Sequence, residues 1–113
     1  MGVFENDDKP ELTEEFAQSI IGKYILIGIR RLDHNGVELR RQQIHGVVRS
    51  ASETGILIEL QGQHEGTSWT MPPDPRVISR ASPGTYTLHS TGEKIENPDL
   101  LASWTINEPP PTQ

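Results

Sequence analysis

A chain of 113 residues has room for one domain with a thin core. Its 33% apolar content is low for a helical bundle, but it suffices for a β-fold that packs one face of its strands. The absence of cysteine excludes disulfides, thiolate nucleophiles and cysteine metal ligands together.

The net charge of −6 is unevenly spread. Residues 1–15 carry six acids and one lysine, residues 23–49 six bases and two acids, and residues 50–113 eight acids and three bases. An acidic whole argues against non-specific nucleic-acid binding, which depends on neutralising phosphates, while the basic middle leaves room for a local cationic patch. No run approaches the roughly 18 apolar residues of a membrane span. The start is acidic and lacks an apolar signal segment, and Asn6 stands where a myristoylation motif wants Ser or Thr. A cytoplasmic protein without membrane contact is expected.

Residues 1–8 read as a flexible, charged tip, and residues 9–107 as one β-rich domain. Asp8, Pro10 and Glu11 resemble a helix start, and Leu12, Phe16 and Ile20 line one helical face that Gly22 would end. The apolar run from Tyr24 to Ile29 predicts a strand buried on both faces or under the helix. Asn35-Gly36 is a strong hairpin signal, with a return strand over 42–50 that contains Gly46, a mark of a bulge or bend. Ile56 to Leu60 forms a third strand. A polar loop over 61–68 follows, then a short strand at 69–71 stopped by Pro72, Pro73 and Pro75.

Residues 76–80 suit a short strand or a 3₁₀ turn, 85–89 an alternating strand, 97–101 a capped helical turn, and 104–106 a last strand. Residues 108–113 form a proline-rich tail. Ser68-Trp69-Thr70 and Ser103-Trp104-Thr105 suggest two similar edge strands. Turn signals every eight to twelve residues or so predict a mainly β fold, a small antiparallel barrel with one short N-terminal helix.

The segments 23–29, 45–48 and 55–60, with a glycine in the middle of a long strand, resemble the strand order of SH3-like and Sm-like barrels. The likeness spans about residues 10–80 and implies a fold only. No Asp-x-apolar-Asn follows the third strand and no Arg-Gly pair follows Val77-Ile78, so the RNA binding of Sm proteins does not carry over.

Candidate chemistry is sparse. His34, His45, His64 and His89 lack metal-ligand spacing, which leaves no metal or cofactor to expect; His34 reads as a turn residue and His45 as a surface strand residue. His64 and Glu65 share a loop, and Glu59 or Glu93 would complete a site only through the fold. No catalytic constellation is visible, so no enzyme is expected.

Arg30-Arg31 and Arg40-Arg41 flank the hairpin turn, so pairing would place up to two guanidinium groups on each face, a fork suited to carboxylate or phosphate. The alternative is a solvated hairpin that pairs with nearby acids. Trp69 either packs the core or, beside the prolines, docks a peptide.

The expected function is a non-catalytic protein-interaction module, with Arg30, Arg31, Arg40, Arg41, His64 and Trp69 as its surface. Two alternatives are an acidic inhibitor of a basic partner and a nucleic-acid or small-anion binder that uses the four arginines. An uncovered edge strand is compatible with a homodimer.

Overall fold

Thr13 sets where the helix begins: its hydroxyl accepts from the Phe16 N–H at 3.1 Å and caps α1, Glu14–Ile20. The computed structural model describes residues 12–89 and 91–110. The expected flexible tip and the Asp8 cap therefore lie outside the described residues, as do residues 111–113 of the tail. Leu12 precedes the helix instead of belonging to it, and enters the core beside Ala17 and Ile20.

The strands follow the apolar alternation. β1 (Tyr24–Leu32) and β2 (Glu38–Ser52) form an antiparallel hairpin around Asp33 to Gly36. The Asp33 carboxylate accepts from the Asn35 and Val37 N–H groups, and Gly36 takes φ +85°. β2 is much longer than expected because it serves two partners. Residues 38–47 pair with β1, and from Gly46 onward the strand pairs with β3 (Gly55–Leu60). A side chain at Gly46 would fall on the Glu59 carbonyl and within 2.9 Å of Leu60 Cα, so the close approach at this handover requires glycine. Arg49 is the extra residue of a bulge just beyond it.

β4 (Ser68–Met71) pairs with β3, β5 (Ile78–Arg80) with β8 (Leu100–Asn107), and β6 (Thr85–Thr87) with β7 (Lys94–Glu96) as a separate hairpin. β7 is a strand that the sequence did not reveal. β8 begins where a helical turn was expected, because Asp99 docks on β1: its N–H donates to the Tyr24 carbonyl and its carboxylate accepts the Tyr24 N–H.

The sheet order is β4-β3-β2-β1-β8-β5. The fold is mainly β with one short helix, but the expected antiparallel barrel is not what the ladders form. β1 and β8 run parallel, and β4 and β5 are edges without a ladder between them among the described residues. The physical reason lies between those edges: Pro72, Pro73 and Pro75 supply no N–H, so pairing stops at Met71 and resumes only after a 3₁₀ turn at Pro75–Val77. The sheet still curls, because Met71 of one edge and Ile78 of the other enter the same core as Ile25, Ile27, Ile56 and Ile58.

The first half of β1 is buried on both faces, as its apolar run predicts. Ile25, Ile27 and Ile29 face the main core under α1. Leu26 faces a second cluster with Leu88 and Ile95, covered by the β6–β7 hairpin. The two Ser-Trp-Thr segments are not equivalent: one lies on edge strand β4, the other on inner strand β8.

Candidate functional site

The second face of β1 changes character along its length. At Tyr24 and Leu26 the hairpin covers it. Beyond them lie two uncovered rows across β2, β1 and β8: Gln43–Gly28–Ser103, then Arg41–Arg30–Thr105. These rows floor an open groove of about 560 Å³ that His89 also lines. That volume is within the range of ligand sites. The His89 N–H donates to Gln43 Oε1 at 2.9 Å, which ties the hairpin end to the groove wall.

Gly28 makes the groove. Its position is inside a central strand, yet nothing lies within 4 Å of where a Cβ would stand. Glycine therefore serves no packing need there; it leaves backbone bare for a ligand or another chain to approach.

The donors are guanidinium, hydroxyl, amide and imidazole. Arg30 Nη2 is 3.5 Å from Thr105 Oγ1 and has no carboxylate partner among the described residues. Arg41 is held by Glu38, its Nε donating to Oε2 at 2.8 Å, and this pairing raises the guanidinium pKa further. The row thus keeps one uncompensated cation, Arg30.

The four arginines do meet, as the hairpin argument predicts: Arg30 lies opposite Arg41 and Arg31 opposite Arg40. Only Arg30 and Arg41 line the groove. Arg31 is on the other face, 3.6 Å from Glu108. Arg31 Nε and Trp104 Nε1 are buried there without a hydrogen-bond partner among the described residues. The other expected residues lie elsewhere. His64 belongs to the 3₁₀ turn Gly62–His64. Trp69 packs half-buried against the main core, so it is not a free docking surface.

A second polar cluster was missed. His45, expected on the surface, is the one buried polar residue among those described, with 5% exposure. The Tyr24 hydroxyl lies 2.6 Å from its Nδ1, and Glu93 Oε1 lies 3.3 Å from its Nε2. An ionised carboxylate only accepts, so in the neutral ring Nε2–H donates to Glu93 and Nδ1 accepts from the Tyr24 hydroxyl. Gly62, at φ +68°, packs on this pair where a Cβ would strike the Glu93 carboxylate and the His45 ring.

Partial burial raises the Glu93 pKa, but hydrogen bonds from His45, Thr91 and the Gln63 N–H outweigh it and hold the carboxyl below its usual range. Burial, then the Glu93 charge, push the Tyr24 hydroxyl up, which favours its protonated, donating form. None of the three residues lines the groove. The cluster ties the turn after β6 to the sheet.

Among the described residues no three His, Asp or Glu side chains converge as metal ligands would, and no helix is long and apolar enough to cross a membrane. No known protein family, curated protein or solved structure matches the chain.

Proposed function

We propose that this chain is a non-catalytic interaction module that holds a partner by an anionic group, carboxylate or phosphate, in the groove above Gly28. The observation that carries this reading is the pair of rows Gln43–Gly28–Ser103 and Arg41–Arg30–Thr105. They set an unpaired guanidinium and several hydrogen-bond donors around a floor without a side chain. A planar guanidinium flanked by hydroxyls favours an oxyanion over a cation or an apolar group. The lining holds no carboxylate and no cysteine, and its single imidazole bears on the groove from an exposed turn. That composition suits binding better than proton transfer.

The test is a titration of the ¹⁵N-labelled protein with inorganic phosphate and with acetate, followed by amide shifts. Shifts centred on Gly28, Arg30, Gln43 and Thr105 are expected, and Gly28→Val should abolish them. Unchanged groove amides at low salt and tens of millimolar anion would overturn the proposal.

A further inference from the structure

Resting on the anion-binding groove, we propose that its occupant is an extended acidic polypeptide segment that adds as a strand to the open edge of β8 over residues 103–107. β5 pairs with β8 only at Leu100, Leu101 and Ala102. Beyond Ala102 the outer edge of β8 has no strand partner among the described residues. An edge without a strand partner, here with the 3₁₀ turn Pro75–Val77 close to β8, presents N–H and C=O groups in the spacing a further strand needs.

That edge borders the groove. Ser103 and Thr105 stand on β8 and also line the groove. Every second side chain of an added strand would therefore project over the same face. Arg30 is one strand further in, on the same row as Thr105. The missing side chain at Gly28 keeps the floor low, so a glutamate reaching inward from the added strand can meet the guanidinium.

Charge selects the partner. Arg30 and Arg40 have no carboxylate partner among the described residues, while Arg31 and Arg41 are paired with Glu108 and Glu38. The end of the sheet that bears the groove is thus cationic on a chain that is acidic overall. An acidic segment gains from the arginines and can also pair its backbone with the β8 edge, which a polyphosphate backbone cannot do. The opposite edge, residues 38–44 of β2, is less suited. Glu38 lies on it and would repel an acid, and the hairpin end leans on it through Gln43.

The probes for the full chain are an alternating Glu-Thr octapeptide, its Gln-Thr counterpart, free L-glutamate, inorganic phosphate and a thymidine octanucleotide. Amide exchange of residues 103–107 is read beside affinity. The Glu-Thr peptide should bind roughly tenfold or more tightly than free glutamate and slow exchange at 103–107. The Gln-Thr peptide and the Arg30→Gln protein should each lose about tenfold. Gly28→Val should lose binding at an unchanged unfolding midpoint, which separates a blocked groove from a damaged fold.

Equal affinity for peptide and free glutamate, with no protection at 103–107, would sink the strand-addition proposal and leave the anion groove standing. Failure of every anion to bind would remove both. Tighter binding of the oligonucleotide would replace the peptide with a nucleic acid. Sedimentation as a dimer, with 103–107 protected before any peptide is added, would assign the edge to a second copy.

Discussion

Two glycines in neighbouring strands, Gly28 and Gly46, have opposite reasons to exist. At Gly46 the backbones of β2 and β3 approach so closely that a Cβ would meet main-chain atoms, which cannot swing aside. Gly46→Ala should therefore destabilise the protein by about 3 kcal/mol. At Gly28 a Cβ meets nothing, and a strand interior gains from losing a glycine. Gly28→Ala should be neutral or stabilising by up to about 1 kcal/mol. Denaturant midpoints of the two variants test the contrast; comparable losses at both sites would show that Gly28 is structural and not a groove floor. Both residues are visible as mid-strand glycines in the sequence, but the sequence does not say which faces a wall and which faces open space.

Among the elements, the turn after β6 depends on a polar tie as well as on Leu88 and Ile95. Glu93 accepts from His45 and Thr91, and its carboxyl lies below the ordinary value of 4.5 despite the opposing effect of burial. A group whose pKa is depressed on folding adds stability that is present above the unfolded value and lost as pH falls through the folded one. The stability difference between the native chain and Glu93→Gln should accordingly be constant near neutrality and shrink as pH drops below about 4.5. Urea unfolding from pH 7 to pH 3 measures it, and a difference that grows with acidification would contradict the assignment. His45 was misplaced on the surface because strand polarity alternates, and a lone histidine among Gln43, Gly46 and Val47 carries no sign of a lid. The lid is the hairpin of β6 and β7: the alternation over 85–89 announces β6, but β7, three residues long, is too short to show a period.

For the molecule as a whole, the sheet order sets a gradient of protection. β1 lies between β2 and β8 and is covered on both faces over Ile25–Ile27; β4 and β5 are short edges. Amide exchange should be slowest in β1 at Ile25, Leu26 and Ile27, and faster by orders of magnitude in Thr70 and Ser79. Protection of β4 and β5 equal to that of β1 would mean that the two edges close on each other after all.

Much of this architecture was legible in the chain. The apolar run of β1, the hairpin at Asn35-Gly36 and the facing arginine pairs follow from local rules: side-chain alternation, the φ > 0 tolerance of glycine and the hydrogen bonding of the Asp33 side chain to its own turn. Those rules act over neighbouring residues, so the sequence alone determined them. The parallel pairing of β1 with β8, the burial of His45 against Glu93, the open edge at 103–107 and the vacancy above Gly28 join residues as many as 75 positions apart. No local preference encodes such partners. They were decided by which apolar faces could be covered at once, and only the folded chain records that outcome.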